Sequence, residues 1–458
     1  MNQNHRLIRS IFAIGILSFL GIVIETALNI AFPQLMMEFH LGPATIQWLT
    51  TGYMLVSTVI VPFGSYLRKR FRAVGLFRAA VFSFLLGTIC AAVANNFTLL
   101  LCGRLLQGVA NGISLPLMFS IILEQASKKK VGTFMGIGTL VIAFAPAVGP
   151  VYGGIVVNYL PWQALFAFII PVIIATWLLG ETSISQTVKP QKIPFDYQGA
   201  ATLAIFLVST LFLILGFTSH NKILLQLILT LLALGSGGLF VYLERKKPHA
   251  LLDMTLFKRK HFDLFLTAFF LLQLLSLSMS FLIPNVLQMA FKQSTATVGL
   301  LILPAAIVDA LVSAIAGVIY DKGSPRLPII IGVGIIAATF LVAQVVKPSV
   351  ISLVAIYIIF MLGLGLSYSN IMTLSLEQLS SASANDGNVL YMTAQSYSGA
   401  IGTALAASLL GWAQAKVPSQ ELGTLNGLKL NLVVLLVIGL IILCCILAEA
   451  FLKRIAKD

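Results

Sequence analysis

The chain carries little charge. Asp, Glu, Lys and Arg make up 10% of its 458 residues, where a soluble domain carries about 25%. That scarcity excludes a water-soluble globule, as does a mean hydropathy of +0.99. Acids are the scarcer sign, 15 against 29 basic residues. In a soluble protein the net charge of +14 would suit nucleic acid. Here the cations lie in loops between apolar runs and read as membrane orientation, so no nucleic-acid partner is expected. Cysteine is equally sparse: Cys90, Cys102, Cys444 and Cys445 sit in or beside apolar runs without metal-ligand spacing. Packing is therefore expected of them, not disulfides or metal binding. No GxxxxGK[ST] loop is present to cradle ATP phosphates. No nucleophile–base pair or metal cluster supports an enzyme. The longest polar stretch between apolar runs, Glu244 to Asp263, is too short for a soluble domain. With no cofactor expected, energy must come from a gradient or from the substrate itself.

What the chain has in abundance is hydrophobic residues, 59% of the total. They fall in runs of about 20, the length that crosses a bilayer. Lipid offers no partner to the backbone of an open strand, so every span is predicted to be helical. Fourteen spans are predicted, from 8–32 to 429–452. The second is at 46–67, the seventh and eighth at 198–218 and 223–243, and the thirteenth at 388–412. The fold class is thus an all-α polytopic membrane protein. The first run is too long for a signal peptide and contains Glu25, so no cleaved leader is expected. Loops alternate in charge. One set, from Arg6 through Arg68–Arg78, Lys128–Lys130 and Arg245–Lys260 to Lys457, holds 23 Lys and Arg. The other holds five: Lys222, Lys292, Lys347, Lys416 and Lys429. This bias predicts that both termini are cytoplasmic and that the number of spans is even.

Against that background the acids stand out. Glu25 lies inside the apolar run Ile11–Phe32, and Asp309 near the middle of Val298–Tyr320. A charge at that depth costs roughly 2.5–3.5 kcal/mol on insertion scales, and such residues usually carry protons or ions. Glu25 shares a helix face with Asn29, with Thr26 beside it. Asp309 is flanked by the small Ala305, Ala306 and Ser313, which suits close helix packing. Arg104, Gln107, Gly108 and Asn111 fall at i, i+3, i+4 and i+7, one polar stripe along the fourth span. An intramembrane arginine needs acceptors, and Glu25 and backbone carbonyls are the candidates. In the fifth span, Ala145–Gly154 carries Pro146, Gly149, Pro150, Gly153 and Gly154, a pattern that permits bending and close contact. Amide and aromatic residues form a further set: Asn285 and Gln288 on the ninth span, Tyr368 and Asn370 on the twelfth, and Tyr391 and Gln395 on the thirteenth, with Asn388 and Ser398. With Asn29, Gln107 and Asn111 they are candidates for binding amphipathic or cationic molecules by hydrogen bonds and stacking.

These motifs resemble the fourteen-helix drug:proton antiporter branch of the major facilitator superfamily, over nearly the whole chain. Ile24–Pro33 (IETALNIAFP) resembles the first-helix signature LDxTxxNxAxP, with Glu25 at the Asp position. RLLQGVANG resembles the fourth-helix motif, and APAVGPVYGG the antiporter motif of the fifth helix. PWQALFAF at Pro161–Phe168, FDYQGA at Phe195–Ala200 and LFKRKHF at Leu256–Phe262 resemble loop signatures. The resemblance implies a major facilitator fold with 14 transmembrane helices: an N-terminal six-helix bundle at 1–190, an inserted helix pair at 191–250 and a C-terminal six-helix bundle at 251–458. It also implies a central cavity with alternating access, and a monomer in a bacterial cell membrane. One segment departs from the family. Where the loop after the second helix usually reads GxLADRxGRK, this chain has GSYLRKRFRA, with Arg68 at the Asp position. The matching loop of the second half, GVIYDKG, keeps Asp321. The inward gate is therefore expected to depend more on the second bundle.

The combined expectation is a proton-driven exporter of amphipathic or cationic drugs, with Glu25, Asp309 and Arg104 coupling protons to transport. Two alternatives remain at this level. One is a dedicated exporter of a single endogenous metabolite, lipid or peptide; the other is a proton/monovalent-cation exchanger.

Overall fold

The computed structural model describes residues 3–455, apart from Gln47, Lys128, Val188, 217–222, 248–253 and Ser324. Lys128, Lys222 and Lys457, counted among the loop charges, lie outside the described residues, as does the end of the seventh predicted span. The structure is all-helical among the described residues. Eleven of its helical segments are long and apolar enough to cross a membrane. Three of the fourteen predicted spans fall outside that set among the described residues. The second is broken by a 3₁₀ turn at Val61–Phe63, built around Pro62. The seventh is helical over Tyr197–Gly216, and its predicted end lies outside the described residues. The thirteenth forms a 35-residue helix, but its amides and hydroxyls dilute its hydropathy.

Contacts divide the chain into two compact units, Met1–Phe195 and Asp196–Asp458. The first contains α1 (Gln3–Phe39), α2 (Pro43–Ile46), α3 (Trp48–Ile60), α4 (Gly64–Arg70), α5 (Ala73–Ala92), α6 (Phe97–Gln125), α7 (Val131–Ala143), α8 (Ala145–Tyr159), α9 (Ala164–Ala167) and α10 (Ile170–Ser183). The second contains α11 (Tyr197–Gly216), α12 (Ile223–Lys246), α13 (Lys260–Met289), α14 (Thr295–Asp321), α15 (Leu327–Val345), α16 (Val350–Glu377), α17 (Ser381–Ala415) and α18 (Gln420–Ile455). The helix pair α11–α12, expected to be inserted between two bundles, falls with the second unit and touches α17. Asp196 fixes its start by accepting the Gly199 N–H at 2.9 Å and pairing with Lys247 at the end of α12. Burial acts to raise the Asp196 carboxyl, but Lys247 and the Gly199 N–H outweigh it and hold it below its ordinary range.

The two units repeat one packing scheme. In the first, α1 packs on α6, α8 and α10, α6 also packs on α3 and α5, and α5 meets α10. In the second, α13, α14, α15, α16, α17 and α18 make the same six pairings in the places of α1, α3, α5, α6, α8 and α10. Glycines set the closest approaches in both. A Cβ on Gly87 would lie 2.5 Å from the Gly103 carbonyl oxygen, and one on Gly332 would lie 2.5 Å from that of Gly363. Only glycine lets these backbones meet, as small residues do generally between membrane helices. Ion pairs follow the repeat too. Arg78 of α5 grips the Glu181 carboxylate of α10 with two donors, and Arg326, which opens α15, grips Glu449 of α18 the same way.

Candidate functional site

In the first unit the predicted polar stripe of α6 becomes a network. Arg104 is fully buried. Its Nε donates to the Leu49 carbonyl at 3.0 Å and its Nη1 to Gln107 Oε1 at 2.6 Å. Its guanidinium lies over the Tyr53 ring, 4.3 Å from the centroid, while Nη2 has no protein partner. Gln107 passes the chain on to Thr88 at 2.9 Å, and Asn111 donates to Ser57 at 3.0 Å. Gln107 and Asn111, expected to contact substrate, are thus both engaged between helices.

Glu25 is half-buried on α1. One turn before it, Gly21 leaves room for the Tyr53 hydroxyl, which would lie 2.7 Å from a Cβ there. Glu25 acts on Arg104 and Tyr53 through space, but among the described residues no ion pair joins Glu25 to Arg104. The arginine instead uses the backbone and amide acceptors. Asn29, one turn further on, is exposed and accepts from Thr50 at 3.1 Å.

The helix after the fifth-span break packs on the face of α1 that carries Val23, Thr26 and Ala27. The chain breaks between α7 and α8 at Phe144, with Pro146 in the first turn of α8 and Pro150 within it. Gly149 faces Thr26, with Val23 O 2.8 Å from a would-be Cβ, and Gly153 faces the Ala27 backbone at 2.7 Å. Gly154 faces open space. Two of the three motif glycines therefore seat α8 on the residues flanking Glu25.

In the second unit Asp309 is half-buried on α14, and a Cβ on Gly365 of α16 would lie 3.1 Å from its Oδ1 and 2.8 Å from its carbonyl oxygen. Gly108 meets the Tyr53 carbonyl in the same manner in the first unit, at 2.6 Å. Asp309 of α14 and Tyr53 of α3 thus each lie against a glycine of the helix packed on them. Asp309 acts electrostatically on Tyr357 and Tyr368. Tyr357 bonds Ser280 at 3.1 Å, and Tyr368 stacks on Phe269 with centroids 4.3 Å apart. Tyr391 is buried against Phe269 and Phe262. Asn285 bonds its own helix at Phe281, Gln288 is exposed a turn beyond, Asn370 bonds Leu366, and Gln395 is half-buried on α17. Asp321 closes α14 beside Tyr320, whose hydroxyl donates to Glu377.

Tyr53 and Arg68 take roles here that the sequence pattern does not assign them. Tyr53 had a signal, since it lies four residues before Ser57 on one helix face. Arg68 was read only as the loss of an acid. The structure buries it in an ion pair with Glu124 at 2.5 Å, and Thr187 donates to the same carboxylate at 2.6 Å. The loop is pinned with its charges inverted.

An all-helical chain with bilayer-length helices, two similarly packed units and a half-buried acid well inside a span of each has the architecture of a polytopic membrane transporter. The chain belongs to the major facilitator superfamily, whose sequence profile matches residues 12–403. It is 32% identical over 456 residues to a lincomycin resistance protein, LmrB, of Listeria innocua, covering 95% of this chain and 94% of that one. It is 26% identical over 392 residues to a multidrug resistance protein B homolog of Mycobacterium tuberculosis, covering 84% and 73%. Among solved structures it resembles the proton:xylose symporter XylE, with a TM-score of 0.64 and 13% identity over 93% of this chain and 94% of that one. That last likeness is one of fold alone.

Proposed function

We propose that the protein is a proton-coupled exporter of amphipathic or cationic drugs, exchanging protons for substrate by alternating access and working as a single chain with both termini cytoplasmic. The observation that carries this reading is Glu25, a carboxylate inside a span, on a helix against which the α8 glycines pack, acting on a buried arginine without pairing to it. Arg104 keeps one guanidinium nitrogen without a partner. Ionised Glu25 would be drawn toward that positive charge, and protonated Glu25 would not, so loading a proton changes how α1 is held against α3 and α6. Asp309 gives the second unit an acid of its own. The drug-resistance names of the relatives suggest lincomycin as the first substrate to try.

The test is reconstitution in liposomes under an imposed proton gradient, following lincomycin or ethidium in wild type, Glu25→Gln and Asp309→Asn. Gradient-dependent transport in wild type, reduced about 100-fold or more in Glu25→Gln, is expected for loss of a proton-transfer group. Wild-type rates in Glu25→Gln would make it a structural acid. Wild type that moves neither compound would point to an exporter of one endogenous compound.

A further inference from the structure

Asp309 lies far from the basic end of its unit, where Lys258, Arg259 and Lys260 are exposed. It sits beside Gly365, twelve residues before Glu377, which accepts from Tyr320 at that end. At 1.5 Å per residue the separation is about 18 Å. A proton on Asp309 needs a polar path across it.

The second unit holds the parts of such a path. On α16, Gly365, Tyr368 and Ser375 fall on one face at i, i+3 and i+10. Tyr368 stacks on Phe269 (4.3 Å), and Phe269 meets Tyr391 edge-on (4.8 Å, 78°). Tyr391 also meets Phe262 at 5.7 Å, one residue from Asp263 in the first turn of α13. The hydroxyls of Tyr391 and Ser375 face each other, and the Asp263 charge reaches Tyr391. Yet the Tyr368 and Ser369 hydroxyls and Asp263 Oδ1 are buried without a protein hydrogen bond. A buried polar atom left alone is costly, and native interiors satisfy such atoms with water. Simple packing would favour apolar side chains at these positions. The rings hold each hydroxyl in place, and Asp263 is half-exposed at the mouth.

We propose that Tyr368, Ser375 and Tyr391, with Asp263 at the mouth, form a hydrated proton route between Asp309 and the basic end of the second unit. The proposal rests on reading Asp309 as a proton-carrying acid. The Asp309 carboxyl gives its proton to a water held by Tyr368. Each hydroxyl then accepts one proton and gives up another, and the Asp263 carboxylate takes the last before passing it to bulk water. Only the two carboxylates change charge. Neighbouring ionic groups are engaged elsewhere: Glu377 with Tyr320, and Glu449 with Arg326 and His261. Asp386 of α17 is buried and held by contacts of its own. The exposed Lys258, Arg259 and Lys260 leave Asp263 as the acid at the mouth.

The experiment follows substrate-driven proton movement with a pH dye in liposomes, using lincomycin or ethidium, alongside equilibrium binding of the same compound. Asp263→Asn should slow proton movement by about 100-fold and Tyr391→Phe by about tenfold, as expected for removing positioned proton-transfer groups. Binding should stay within about twofold in Asp263→Asn, since Asp263 is not asked to touch substrate. Asp263→Glu should restore the rate and shift its pH profile. Wild-type proton rates in both Asp263→Asn and Tyr391→Phe overturn the route and leave coupling intact. Loss of binding in Asp263→Asn without rescue by Asp263→Glu makes the residue structural and also overturns the route. If wild type moves drug but no proton, coupling fails and the route fails with it.

Discussion

Arg68 shows how one residue can keep a role while reversing its sign. Its side chain is nearly inaccessible, as is that of Glu124, and the pair ties the last turn of α4 to the end of α6. Thr187 adds a third contact from the segment after α10. Removing one partner of a buried pair leaves an unmatched charge, at a cost of about 3–5 kcal/mol. Arg68→Ala or Glu124→Gln should therefore lower the melting temperature in detergent markedly. Arg68→Asp should be worse, because it sets two acids together. The double reversal Arg68→Glu with Glu124→Arg should recover part of the loss. Wild-type melting in the single variants would show that the loop is held by other contacts. The expectation that the inward gate leans on Asp321 rested on the first unit lacking a pin, and this pair supplies one.

At the scale of elements, the α8–α1 contact governs how Glu25 is presented. Gly149 and Gly153 bring α8 against Thr26 and Ala27, and neither position has room for a methyl group. Gly153 meets rigid backbone, so the helix itself must shift. Overpacking of this kind costs typically about 1–3 kcal/mol. Gly153→Ala should cut transport by about tenfold or more while the protein still inserts, because a displaced α1 misplaces its acid. Gly154→Ala, facing open space, should transport like wild type. Equal effects of the two, measured in the same vesicles, would mean that helix flexibility and not close packing is what the motif supplies.

For the whole molecule, the internal repeat is informative. Six helix pairings, a glycine–glycine contact and a bidentate Arg–Glu pair recur in both units. The acids do not recur: Glu25 sits on α1, while Asp309 sits on α14, which takes the place of α3. The two units therefore carry different chemistry on one scaffold, as expected when function is placed on a repeated fold. A proton-driven exporter should lose transport when a protonophore collapses the gradient and be indifferent to replacing sodium or potassium with choline. Proton flux that depends on sodium or potassium without drug would instead favour the monovalent-cation exchanger.

The sequence by itself determined the membrane class, the helical character and the candidate acids. Each follows from local cost: a long apolar run must be helical in lipid, and an acid within one is too expensive to be idle. The stripe Arg104–Gln107–Asn111 was legible because helical periodicity puts those residues on one face whatever surrounds the helix. Only the tertiary structure decided their partners. Arg104 chose Leu49, Gln107 and the Tyr53 ring over a direct pair with Glu25. Arg68 found Glu124, 56 residues away. Gly149 and Gly153, but not Gly154, met α1. Periodicity fixes which face a residue occupies, but which helix lies against that face is set by the packing of the whole unit, where backbone approaches of under 3 Å to a would-be Cβ decide what can touch.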